Sequence, residues 1–208
     1  KTLYQKRFVL LWWFIGITAV TLLTVSFYHS FQATDVEELF KALPPAVQSI
    51  AGDVASFKTV DGYLRQQVFA LRLPMLAIIL AISLLVGLTA GDEQKGLLET
   101  QLSLPVSRTR LLLHKLAAAV LIISLATLGG LAGILIGMTM LGESFSLLRV
   151  LQNTLNCFAV SLVYGLVGFA IAAMTGRRGL ALGIASGFAF LSYLLNSMAP
   201  SVSGLQAI

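Results

Sequence analysis

The chain has 208 residues, of which 57% are hydrophobic and only 11% charged, and its mean hydropathy is +0.89. That leaves too little polar surface to coat a soluble globule of this length, so the composition places the chain in a bilayer. The net charge of +5 does not point to nucleic acid, because the basic residues flank apolar runs instead of gathering on one polar face.

About 20 apolar residues are needed to cross roughly 30 Å of hydrocarbon, and windows of that length find five spans. The first, residues 8–28, holds twelve Leu, Ile, Val and Phe residues and no charge. Lys1, Lys6 and Arg7 precede it as a basic anchor, and it lacks the cleavage signature of a removed signal peptide.

Residues 29–70 are too long for a turn. Thr34 and Glu37 form a capping-box pattern, and Val36, Leu39, Phe40 and Leu43 follow at helical spacing until Pro44 and Pro45. A second amphipathic piece, residues 46–51, stops at Gly52, and "TVDGYLRQQVF" leads onward. This reads as an outer interfacial segment of one or two helices. The second span, residues 71–90, opens with Arg72, expected to snorkel to headgroups, and with Pro74, which either kinks the helix or begins it.

Polar residues then interrupt the hydrocarbon: "GDEQKGLLETQLSLPVSRTRLLLHK", residues 91–115. Its first part reads as a short helix with acids in the first turn and Leu97, Leu98 and Leu102 on its apolar side. Pro105 stops that helix. Ser107 can cap the next, with Arg108, Arg110 and Lys115 at the level of the phosphates. The product is an elbow, a surface helix joined stiffly to the second and third spans.

The third span, residues 116–141, carries Gly129, Gly133 and Gly137, and the fifth, residues 180–198, is lined by Gly179, Gly183 and Gly187. Residues four apart share a helical face, so each row is expected to make a groove for close helix packing, with a moving surface or a subunit interface as the alternative. The fourth span, residues 155–175, follows a polar stripe of Gln152, Asn153 and Asn156, and Tyr193 and Asn196 lie near the far end of the fifth. Asn153, Asn156, Tyr193 and Asn196 are the candidate pathway residues, with interfacial hydrogen bonding as the plainer alternative.

Intramembrane chemistry needs ionisable groups at depth, and none lies mid-span. His29 and His114 fall at opposite ends, so no metal site is expected, and Ser186 in "GIASG" lacks a nucleophile elbow. Cys157 is the single cysteine and sits in an apolar run. The dipeptide Gly-Lys of a phosphate-binding loop occurs nowhere, so this chain is expected to bind no nucleotide cofactor of its own.

Orientation follows from basic residues on alternating sides. With the N-terminus in the cytoplasm, nine Lys and Arg lie inside and five outside, whereas three acids lie inside and six outside. Residues 91–115 are then cytoplasmic. The chain opens on Lys1 instead of Met, and an odd span count leaves its end outside, so further residues are expected at both ends, including a sixth span.

The run from Glu93 through Gly96, Glu99 and "LSLPVSR" to Lys115 resembles the segment after the second span of type-2 ABC transporter permeases. Gln101 departs from that pattern, standing where an apolar residue is usual. The resemblance implies an all-α polytopic transmembrane helical bundle in the cell membrane, one permease domain spanning residues 1–208. It implies an exporter component that is no enzyme itself, and a coupling helix that docks on a separate ATP-binding subunit. The docking residues would be Glu93, Gly96, Leu97, Leu98, Glu99, Leu102, Pro105, Val106, Ser107 and Arg108. ATP and magnesium would be held by that partner, and a second permease copy or a paralogue would complete the path. The alternative is a secondary transporter or channel not driven by ATP, which would be expected to show mid-membrane charges or matched broken helices.

Overall fold

The computed structural model describes residues 2–33, 59–94 and 108–198, which are all-α, with no strand among them. The expected amphipathic helix at 34–51 and the expected coupling helix lie outside the described residues. The helices, in chain order, are α1 (Thr2–Ser26), α2 (Tyr28–Ala33), α3 (Val60–Leu88), α4 (Ala90–Gln94), α5 (Arg108–Leu141), α6 (Leu147–Thr175) and α7 (Arg178–Met198). Five stretches are long and apolar enough to cross a membrane: Arg7–Ser30, Val60–Leu88, Thr109–Leu141, Leu147–Thr175 and Arg178–Ser197.

The helices outrun the apolar windows. α3 begins at Val60 where the window began at 71, α5 at Arg108 instead of 116, and α6 at Leu147 instead of 155. At α3 and α6 the residue before the helix, and not hydropathy, marks the start. The Thr59 hydroxyl accepts from Gly62 N at 3.2 Å to start α3, and Ser146 enters α6 from an extended conformation. α6 and α7 are joined only by Gly176 and Arg177. Gly176, at φ 62°, donates its N–H to the Ala172 carbonyl at 2.9 Å, closing α6 with a left-handed cap that reverses the chain.

Pro74 falls inside the span Val60–Leu88, in the first turn of its α-helical run. It sits one residue inside the α-helical run Leu73–Leu88, directly after a π-helical stretch, Leu64–Arg72. Proline cannot donate to Ala70 and its ring crowds that carbonyl, and widening the preceding turns to i→i+5 bonding removes the conflict. Accordingly the Leu73 N–H goes to Val68 O. The Arg72 guanidinium folds back along its own helix to the Gln67 carbonyl at 2.7 Å and to the Gln67 side-chain oxygen.

α3 is the central element. Ile17 and Val25 of α1 meet Leu64, Val68, Leu73 and Leu80 of α3, Ile134 and Met138 of α5, and Cys157 of α6 in one buried cluster. A second cluster joins Ala81, Leu84, Leu85 and Leu88 of α3 to Ala119, Ile122 and Ile123 of α5. In a third, Ile82 and Val86 pack on Ala172 of α6 and on Ala181 and Ala185 of α7. α1 packs chiefly on α5, α6 on α3, and α7 rests on the edge made by α6 and α3. α7 is the least covered, with 11% of its apolar window buried.

Candidate functional site: the polar end of α3 and α5, and the groove beside α7

Lys115 is 4% exposed, which corrects the expectation that it stands with Arg110 among the phosphates. Its register explains why. Lys115 precedes Ala118, Ala119 and Ile122 by three, four and seven residues, and all three are buried, whereas Arg110 and His114 point outward. A lone ammonium there would be costly, and two acceptors hold it. Its Nζ donates to Asp92 Oδ2 at 2.8 Å and to the Leu88 carbonyl at 3.0 Å.

The acceptors are presented by a break in the chain. Thr89 leaves helical geometry at φ −106° and ψ −96°, and its buried hydroxyl donates to Leu85 O at 3.0 Å and Val86 O at 3.2 Å. Asp92 N donates to Thr89 O at 3.1 Å, starting the short α4. The turn frees the Leu88 carbonyl, one of the orphan acceptors of a helix end, and Lys115 fills it. Gly91 is buried beside this pair, and a Cβ there would lie 3.7 Å from the Arg178 side chain at the start of α7. The roots of the 91–110 segment are therefore tied to three spans.

Of the residues expected to dock on a partner, Gly96, Leu97, Leu98, Glu99, Leu102, Pro105, Val106 and Ser107 lie outside the described residues. The side chains of Glu93 and Arg108, at the inner edges of α4 and α5, also fall outside them.

The two expected glycine rows differ. A Cβ on Gly129 would lie 2.9 Å from the Phe14 carbonyl, one on Gly133 2.6 Å from the Thr18 carbonyl, and one on Gly137 2.7 Å from Val25 Cγ1. All three face α1, and Thr18 Oγ1 donates across the contact to Gly129 O at 2.9 Å. Gly179, Gly183 and Gly187 have no atom of the described residues within 4 Å of such a Cβ, so their row packs against no described helix. A third stripe went unread. On α6, Val150, Thr154, Cys157, Ser161, Gly165, Gly168 and Ala172 are buried. A Cβ on Gly165 would lie 2.7 Å from Leu85 Cδ1 and 3.0 Å from Ala81 Cβ. Its signal is small residues at alternating steps of three and four, which a search for glycine every fourth residue passes over.

The four candidate pathway residues are not brought together. Tyr193 lines an apolar groove of about 430 Å³ between α3 and α7, with Leu71, Pro74, Met75, Ile79, Ser83 and Phe190. Asn153 lines a polar hollow of about 480 Å³ at the end of the bundle away from Lys115, and donates to the Arg149 carbonyl at 2.9 Å. There Arg149 pairs with Asp61 at 2.6 Å in solvent-exposed surroundings. Asn156 and Asn196 are exposed on their helices. No group of three or more His, Cys, Asp or Glu able to hold a metal occurs among the described residues.

A family model described as an ABC-2 family transporter protein matches residues 5–207. No curated protein and no solved structure gives a match.

Proposed function

The chain belongs to the ABC-2 transporter family and is a multi-pass membrane protein, and from that membership we propose that it is the permease half of an ATP-driven exporter. The family match across nearly the whole chain carries this reading. In this reading the N-terminus and residues 91–115 face the cytoplasm of a cell-membrane protein. A separate ATP-binding subunit holds ATP and magnesium and docks on the segment from Glu93 to Arg108. Gly96, Leu97, Leu98, Leu102, Pro105, Val106 and Ser107 shape that docking helix, and Glu99 offers it a charged contact.

The tie between the roots of the segment supports the mechanism. Force delivered to the segment would arrive where Lys115 of α5 holds both Asp92 of α4 and the last carbonyl of α3, and so would reach two spans together. A second permease copy or a paralogue completes the translocation path. α7 is its natural neighbour, since the Gly179, Gly183 and Gly187 row is open to a backbone from outside this chain. Tyr193 and the apolar groove suit an amphiphilic cargo better than a charged one; Asn153, Asn156 and Asn196 do not line that groove and would meet cargo only at other points of the path.

The test is a double variant, Glu99→Lys with Leu98→Asp, in the reconstituted complex with its ATP-binding subunit. Docking through this segment requires that nucleotide hydrolysis lose its link to the permease. The complex should fall apart, or hydrolysis should proceed without transport. A double variant that stays assembled and normally coupled would refute the assignment.

A further inference from the structure

We propose that Asp92 and Lys115 are a positioning pair, a buried latch that makes the end of α3 and the beginning of α5 move as one body when the segment between them is displaced. The inference rests on the permease reading for its purpose, but its geometry stands on this chain alone.

The observations converge on one seam. Along α3, Ala81, Leu85 and Leu88 recur at steps of four and three toward α5, and past the break at Thr89 the short α4 brings Asp92 back to the same seam. Along α5, Lys115 occupies the position one turn ahead of Ala119 and Ile122 on the face turned to α3. The ion pair thus adds a final polar layer to an apolar interface. That layer differs in kind from the layers beneath it. Its ammonium is tied to a carboxylate and a main-chain carbonyl at once, and charge-assisted bonds of this kind are stronger than neutral ones.

The second bond makes the latch more than a charge pair. Because Lys115 also closes the Leu88 carbonyl at 3.0 Å, it grips the backbone of α3 and not only a side chain. The Thr89 turn, with its own two hydroxyl bonds, keeps Asp92 aimed back at the seam. The pair therefore joins the two described helices, α4 and α5, that flank residues 95–107. The ion pair at the opposite end, Asp61 with Arg149, lacks these features: the Arg149 side chain is 68% exposed, and the bond is side chain to side chain. Exposed pairs of that kind constrain little.

A purely structural pair and a latch are separated by removing both charges at once. Asp92→Asn alone or Lys115→Met alone leaves a buried group without its partner and is expected to lower the yield of folded protein. The double variant removes the unpaired charge and is expected to restore the yield, as neutral replacement of a buried pair commonly does. The latch is still gone. In the full complex with the ATP-binding subunit, on a Cys157→Ser background, spin labels at exposed Gln94 and Met140 report the tilt of α5 against the end of α3.

With the native pair, the distance distribution should be narrow and should stay so between the nucleotide-free and ATP-trapped states. In the double variant it should lose its narrow component and shift with nucleotide. A double variant with a native distribution in both states overturns the latch, as does a native pair with a broad one. If the ATP-binding subunit does not stay with the native chain, the permease reading falls. The nucleotide-free distributions still decide whether the pair clamps the two helices.

Discussion

Gly133 and Gly183 occupy similar places in similar rows, yet the space around them predicts opposite behaviour. Gly133→Ala drives a methyl into the Thr18 carbonyl and the Thr21 hydroxyl, so α1 must back away from α5. The cost should be about 1–3 kcal/mol, read as a lowered melting temperature in detergent. Gly183→Ala meets nothing in this chain and should leave that temperature unchanged for the isolated protein. The two ion pairs divide in the same way. Arg149→Gln should cost about 1 kcal/mol or less, since the pair is solvated, whereas Asp92→Asn should cost about 3 kcal/mol or more by stranding a buried ammonium. Equal melting temperatures for those two variants would show that burial does not distinguish them. Lys115 was legible as a charge but not as a buried one. Its register with Ala118, Ala119 and Ile122 was the available signal, and the nearby Arg108 and Arg110 drew it into a surface cluster instead.

Elements were legible where hydropathy decides them and less so where the backbone does. Every apolar window became a helix, because hydrocarbon leaves a backbone no other partner for its polar groups. The starts lie eight residues or more ahead of the windows at α3, α5 and α6; at α3 and α6 Thr59 and Ser146 begin helices that do not need apolar side chains there. The π-helical stretch before Pro74 had no sequence signature beyond the proline, since widening, kinking and starting all relieve the same clash. Gly176 is the element-scale position with the clearest consequence. Held at φ 62° in a two-residue connection, it should resist replacement, and Gly176→Ala is expected to cost about 1–2 kcal/mol. Pulse proteolysis of the purified protein would show it as faster cleavage between α6 and α7. An unchanged cleavage rate would mean that the hairpin is set by packing of α7 alone.

At the scale of the whole molecule, α3 links every other span, touching α1, α5, α6 and α7, and the segment after it is where outside force would enter. The family was legible from residues 93–115, a short polar run whose pattern survives without any view of its structure, and the family match extends over residues 5–207. Which spans share a backbone-level contact was only half legible. The row at Gly129, Gly133 and Gly137 found its partner in α1, and the equally regular row on α7 found none among the described residues, because a sequence records a groove without recording what fills it. The N-in arrangement gives a separate expectation. Single cysteines at Gln94 and Arg110 should react with a membrane-impermeant maleimide only from the cytoplasmic side, and one at Arg149 only from outside; the reverse pattern would invert the molecule.

Docking itself is tested most directly by a photo-crosslinking residue placed in turn at Gly96, Leu98 and Glu99 and, as a control, at Gln152, in cells that also make the ATP-binding subunit. The account requires adducts with that subunit from the first three positions and none from the fourth. No adduct from any position in residues 93–108, in a complex that still hydrolyses ATP, would contradict it.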